Sequence, residues 1–180
     1  MRNISICLVL FSAASFGAEG WDNTWFQGYD DGTCYMTGVR NVSAQNQSAL
    51  LPNITAAFLA IRKDSHAQHP VLADLQIGEL AFIVTVPKQR KGGSFYPTVS
   101  ALELDGVEVT DVIDDEHTIA FRAREPLSRQ VLDKLKDGSV VTMYAQTVED
   151  IAVDISISPP GADQFSMNSK MFEACASDGA

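Results

Sequence analysis

A dense group of ionisable side chains lies at residues 111–117, where carboxylates stand beside a histidine. Its members are Asp111, Asp114, Asp115, Glu116 and His117. Clustered carboxylates supply the oxygen ligands that Ca²⁺ takes, and an acidic group beside a histidine suits acid–base catalysis. The segment has no glycine and lacks the alternating Asp/Asn spacing of a calcium loop. It is more typical of a polar hairpin tip, with a cation site and an acid–base pair as the alternatives.

A second group that suits a metal is formed by His66 and His69, which stand three residues apart. Two histidines at that spacing can ligate a metal when they share a helical face. Pro70 biases His69 away from helix, and no Glu or Cys lies close by at ligand spacing. We interpret this stretch as a solvated loop and predict neither a metal nor another cofactor.

Motifs that would indicate a defined reaction are missing from the sequence. It contains no Gly-x-Ser-x-Gly string of a hydrolase elbow, no His-Glu-x-x-His of a zinc protease and no phosphate-binding loop. A Cys–His nucleophile would need a free thiol. We therefore predict that the protein is not an enzyme.

Two stretches are candidates for contact with a partner. Lys88, Arg90 and Lys91 form the one dense basic patch of an acidic chain and precede Gly92-Gly93, which is typical of a solvated loop tip that can meet an acidic partner. Trp25 and Tyr29 belong to an early aromatic run. These rings fit a strand that packs into a core edge, with a ligand-stacking shelf as the alternative.

The start of the chain is typical of a secretory signal peptide. Arg2 precedes a short apolar run at residues 4–11, and small residues follow. The run is shorter than the roughly 20 residues of a spanning helix, which disfavours the alternative of a membrane anchor. We predict a leader over residues 1–20, one β-rich domain over residues 21–180 and no membrane-spanning segment after cleavage.

The mature chain would hold two cysteines, Cys34 and Cys175. An even pair in an oxidising compartment indicates a disulfide, which here would join the start of the domain to its end. The alternative is two separate buried thiols. The formal net charge of −10 and the pI near 4.6 argue against nucleic acid and anionic membranes as partners, because both are polyanions.

The elements that must hold these residues are mostly strands. Residues 126–158 predict a helix with Pro126 at its first position, a left-handed turn at Gly138 and then a hairpin of two strands. The apolar run 80–86 predicts a central buried strand, and residues 54–62 predict another. Asp-Gly pairs at residues 31–32 and 105–106 predict hairpin turns.

A helix is predicted over residues 162–176, with Phe165 and Phe172 docked on the sheet and Cys175 reaching Cys34. The pattern of about eight strands and two short helices late in the chain predicts a mainly β fold. We expect a single antiparallel β-sandwich or a flattened barrel.

The order of these features resembles the invasion-associated locus B family of exported proteobacterial proteins. The similarity lies in the leader, the early Trp25 and Cys34, the Leu-x-x-Leu-Lys-x-Gly helix end at residues 132–138 and a last helix that closes on Cys175. The resemblance implies a β-sandwich-like periplasmic or envelope protein linked to host-cell interaction or envelope integrity. It implies no catalytic residues.

Taken together, the sequence predicts a non-catalytic protein, periplasmic or secreted, that acts by binding or structural support. Its partner would be a protein of the envelope or of a host. The alternative is a periplasmic inhibitor or immunity protein whose acidic surface blocks a basic enzyme cleft.

Overall fold

The computed structural model describes residues 26–30, 32–41, 54–65, 69–150, 152–157 and 162–177. The predicted leader, Trp25 and His66 lie outside these ranges. In chain order the elements are β1 (Phe26–Asp30), β2 (Thr33–Asn41), β3 (Ile54–Arg62), β4 (Leu80–Pro87), β5 (Gln89–Lys91), β6 (Ser94–Tyr96), β7 (Val99–Leu104), β8 (Val107–Glu108), β9 (Val112–Asp114), β10 (Thr118–Ala123), α1 (Leu127–Lys136), β11 (Val141–Thr147), β12 (Ala152–Ile157) and α2 (Ala162–Ser177).

The strands form two main antiparallel sheets and one small hairpin. The larger sheet has the order β1-β2-β3-β4-β10-β9, the smaller one has the order β12-β11-β7-β8, and β5 pairs with β6. The mainly β, antiparallel prediction is confirmed. Because neither main sheet closes on itself, the sandwich describes the fold and the flattened barrel does not. Of the two predicted helices, only α2 lies at the C-terminal end.

The main core is built by apolar side chains from both sheets and both helices. Phe82, Phe121 and Met143 are among its fully buried members, and α2 adds Phe165 and Phe172 as predicted. Strand β4 is buried on both faces, since its alternate residues enter a second cluster on the outer side of the larger sheet. This double burial explains why residues 80–86 lack the apolar–polar alternation of a half-exposed strand.

Helix α1 begins at Leu127, one residue later than predicted, and Pro126 takes the N-cap position instead of the first helical position. Its apolar stripe faces the core through Val131 and Leu135. Gly138 has a φ of 74°, so the predicted left-handed end of the helix is confirmed. A residue with a Cβ would be strained there.

The predicted disulfide is confirmed. Cys34 of β2 and Cys175 of α2 are bonded, with their Cα atoms 6.0 Å apart and a sequence separation of 141. Cys34 is fully buried. The bond therefore fixes the last helix to the second strand, beside a surface ion pair in which Lys136 of α1 donates to Glu173 of α2 at 3.0 Å.

A buried arginine fastens the segment 69–79 to the outer face of the larger sheet. The side chain of Arg122 in β10 is 2% exposed. It donates to both carboxylate oxygens of Asp74, to Asp111 at 2.7 Å and to the carbonyl of Val71 at 2.7 Å. Two carboxylates and a backbone carbonyl therefore accept hydrogen bonds from the guanidinium. These contacts offset the cost of removing its charge from water.

Two further arginines hold the same segment from its edges. Arg62 of β3 donates to the carbonyls of Ala73 and Leu75, each at 2.6 Å. Arg124 donates to the two carboxylate oxygens of Glu79 at 2.6 and 3.0 Å. A stretch without regular secondary structure is therefore fixed by side-chain hydrogen bonds.

The ion pairs of Arg122 with Asp74 and of Arg124 with Glu79 predict a loss of stability in acid. The hydrogen bond from Arg122 holds the pKa of Asp74 below its usual range, and the hydrogen bond from Arg124 does the same for Glu79. A carboxyl whose pKa is lower in the folded than in the unfolded protein stabilises the fold at any pH above its unfolded pKa of about 4. That stabilisation is lost as the pH falls through the pKa of the carboxyl in the folded protein. We expect the urea midpoint to drop below about pH 4, and the drop to be smaller in Asp74→Asn/Glu79→Gln. Equal drops in both proteins would contradict this.

Candidate functional site

The basic patch predicted from the sequence lies on the projecting hairpin β5–β6. Gly92 and Gly93 form its turn with φ values of 60° and 92°, a conformation that two-residue hairpin turns require and glycine supplies. Strand register pairs Gln89 with Tyr96 and Lys91 with Ser94. Because successive residues of a strand point to opposite faces, the patch is divided between the two sides of the hairpin.

One side of the hairpin borders a cleft of about 390 Å³. The opposite wall is the turn that follows β11, so the cleft lies where the chain passes from the larger sheet to the smaller one. The residues that line it are Gln89, Lys91, Tyr96, Pro97, Thr98, Thr147, Val148 and Glu149. Its volume is within the range of small-ligand and side-chain pockets.

The cleft has an apolar rim over a polar wall. Tyr96 and Val148 are each 52% exposed, so an aromatic ring and a branched aliphatic side chain are both accessible to a bound molecule. Thr98 is 5% exposed, and its Oγ1 has no hydrogen-bond partner within the described ranges. The backbone N–H of Val148 donates to the carbonyl of Thr98 at 3.2 Å, which fixes the two walls to each other.

Opposite charges occur on the two sides of the cleft. Lys91 belongs to β5 and Glu149 to the turn after β11, and both are exposed. Neither makes an ion pair within 4.0 Å in the part of the chain that the structure describes. Both charges therefore remain available to a bound molecule.

The other predicted basic contacts face away from the cleft or are engaged within the chain. Arg90 lies 5.9 Å from the ring centre of Phe95, whose ring is 4.4 Å from that of His117. The side chain of Lys88 is only 9% exposed and forms an ion pair with Asp114. Residues 88–91 are thus not one continuous basic surface.

Of the two early aromatic candidates, only Tyr29 lies within the described residues. It belongs to β1 and is paired with Cys34 in the register of the larger sheet. Trp25 lies outside the described residues, so the prediction of a partner contact at these rings stays a prediction.

Residues 115–117 form a hairpin tip between β9 and β10, as the sequence predicts for this acidic segment, while Asp111 precedes β9. Three carboxylates of residues 111–117 each contact a different partner. Asp111 accepts from Arg122, Asp114 pairs with Lys88, and Asp115 accepts from the backbone N–H of Glu116 at 2.7 Å. In the described ranges no group of three His, Cys, Asp or Glu residues is arranged to hold a metal ion.

No protein-family model, curated protein or solved structure matches this chain. The resemblance to the invasion-associated locus B family therefore stays a prediction, as does the absence of catalysis. Neither described helix is long and apolar enough to cross a membrane.

Sequence reasoning found Lys91 but missed the rest of the cleft. The five other exposed or half-buried residues that line it are Gln89, Tyr96, Pro97, Val148 and Glu149. One signal was present: after the Gly-Gly turn and one serine, two aromatic residues and a proline follow, where a solvated loop would carry polar residues. Val148 and Glu149 are distant in the chain, and the pairing of β11 with β7 brings Val148 to Thr98, to whose carbonyl its N–H donates.

Proposed function

We propose that this protein is an exported binding protein of a bacterial envelope, and that it holds part of a protein partner in the cleft beside the β5–β6 hairpin. Membership of the invasion-associated locus B family, and a role toward a host cell, belong to the same proposal. The cleft carries it, because it combines an exposed aromatic ring, an exposed valine and two uncommitted charges.

Export is supported by two independent features. The first twenty residues have the pattern of a cleavable leader. The bond between Cys34 and Cys175 is of a kind that persists in oxidising compartments and is rare in reducing ones.

Binding through the cleft is supported by the residues at its rim. Energetically dominant contacts in protein interfaces are enriched in tyrosine, and they sit in pockets rather than on flat surface. Tyr96 meets both conditions. The basic tip adds Lys91 to this site, while Lys88 and Arg90 are held by contacts within the chain.

The alternative of an inhibitor that blocks a basic enzyme cleft needs acidic groups that are not already neutralised. Of the carboxylates in residues 111–117, those of Asp111 and Asp114 are already paired with Arg122 and Lys88. No specific contact favours this alternative, so we prefer the cleft.

A pair of tyrosine variants tests the proposal. Tyr96→Ala removes the ring at the cleft, and Tyr144→Ala removes a ring that is 36% exposed on strand β11. Each protein, in mature form, is immobilised and treated with envelope extract of the producing bacterium. We expect the wild type and Tyr144→Ala to retain the same partner, and Tyr96→Ala to retain at least about tenfold less. Equal retention by both variants, with circular dichroism unchanged, would overturn the proposal.

A further inference from the structure

We propose that the occupant of the cleft is an extended peptide segment with an apolar side chain at its centre. An acidic side chain lies on one side of the apolar one and a basic side chain on the other. This inference rests on the proposed binding function and names the chemistry of the partner. It follows from three properties of the cleft: its charges, its apolar rim and its position beside a strand hairpin.

The charges exclude a uniformly acidic or basic segment. Lys91 attracts a carboxylate and Glu149 attracts a cation, and like charges brought together at an interface are repelled. The net charge of −10 further disfavours a strongly acidic segment. A segment with one charge of each sign can pair with both Lys91 and Glu149, and it brings no net charge to the cleft.

Strand register places Lys91 near the turn of the hairpin and Tyr96 at its base. Val148, whose N–H bonds to the carbonyl of Thr98, directly precedes Glu149, so apolar residues separate the two charges along the strands. Tyr96, Pro97 and Val148 present an aromatic ring, a proline ring and a branched aliphatic side chain. Burying a leucine-sized side chain against such surfaces is favourable by the hydrophobic effect. The apolar residue of the segment therefore belongs between its two charged residues.

An extended backbone suits this place. Among the described strands β5 and β6 pair only with each other, so unpaired backbone groups of the hairpin can bond to an added strand. In an extended peptide the side chains at alternate positions point the same way. The three side chains that enter the cleft therefore stand at positions i, i+2 and i+4 of the segment.

Synthetic peptides with blocked ends test the inference. Two mixed probes, Asp-Ser-Leu-Ser-Lys and Lys-Ser-Leu-Ser-Asp, cover both chain directions. The uniform probes are Asp-Ser-Leu-Ser-Asp and Lys-Ser-Leu-Ser-Lys, and maltotriose serves as a neutral saccharide. Affinities are measured by titration calorimetry at low salt with the mature, oxidised protein.

We expect the better mixed peptide to bind about threefold or more tightly than either uniform peptide, the size of effect that an exposed ion pair gives. Lys91→Glu should move the preference to the basic peptide, and Glu149→Lys should move it to the acidic one. Arg90→Glu is the matched control, because it makes the same charge change on the other side of the hairpin. We expect it to leave the preference for the mixed peptide unchanged.

Several outcomes would overturn the inference. They are equal affinity for all peptides, no peptide binding at millimolar concentration, binding of maltotriose alone, or an equal effect of Arg90→Glu and Lys91→Glu. If Tyr96→Ala still abolishes capture of a partner from envelope extract in such a case, the binding function stands and only the peptide chemistry is wrong. If capture is also independent of Tyr96, both fail.

Discussion

Reducing the bond between Cys34 and Cys175 is expected to lower the free energy of unfolding by about 2–5 kcal/mol. The bond closes a loop of 141 residues, and in the chain-entropy model a loop that long is worth about 5 kcal/mol. Urea unfolding of the mature protein with and without dithiothreitol measures the difference. Alkylation under denaturing conditions reports whether the thiols are oxidised or free.

The matched control is the variant Cys34→Ala/Cys175→Ala, whose urea midpoint should not respond to dithiothreitol. Hydrogen exchange adds a local readout. Because the bond attaches α2 to β2, we expect the amides of α2 to lose more protection than those of β4. Unchanged unfolding of a protein whose two thiols have become alkylatable would show that the bond contributes nothing to stability.

Replacing Arg122 by methionine is expected to cost about 3 kcal/mol, the lower end of what is lost when one partner of a buried ion pair is removed. The lower end applies because Asp74 is 61% and Asp111 is 31% exposed, so both carboxylates keep part of their water. The carbonyl of Val71 also loses its donor. Urea unfolding at neutral pH measures the cost.

Arg129→Met is the control for this substitution. Arg129 pairs with Glu125 on the exposed side of α1, and such a pair is worth about 0.5 kcal/mol or less. We also expect Arg122→Met to make residues 69–79 the first segment cut by a protease. If the two variants unfold at the same urea concentration, the arginine does not fasten the segment.

Much of the fold could be predicted from the sequence because local patterns dominate it. The bounds of β3, the antiparallel pairing of β1 with β2 and the turn at residues 105–106 match the prediction. Phe165 and Phe172 are buried where α2 meets the core. These features depend on β-branched composition, Asp-Gly turns and apolar spacing, all of which are readable within a short window.

The arginine contacts could not be predicted in the same way. Arg122 lies in a strand where its neighbours are apolar, and its acceptors come from residues 71, 74 and 111. From the sequence, Asp111 belonged to an acidic cluster at a hairpin tip. The sheet register separates it from that tip and turns it toward Arg122, since position 111 precedes β9 and lies beside the end of β10.

The candidate site shows the same limit. The basic run at residues 88–91 can be read from the sequence alone. Only the alternation of side chains along the strand directs Lys91 to the cleft and Arg90 to Phe95. The other half of the cleft, with Val148 and Glu149, comes from a turn that is distant in the chain. A cleft built by two hairpins from different sheets leaves no contiguous motif in the sequence.

The most direct test of a partner in the cleft is photo-crosslinking in living cells. A benzophenone amino acid is placed at Tyr96, and at Tyr144 as the exposed control, in the full-length protein. We expect irradiation to yield one discrete adduct of the exported, leader-free protein from position 96 and none from position 144. No adduct at position 96, or the same adduct from both positions, would contradict a binding site beside the β5–β6 hairpin.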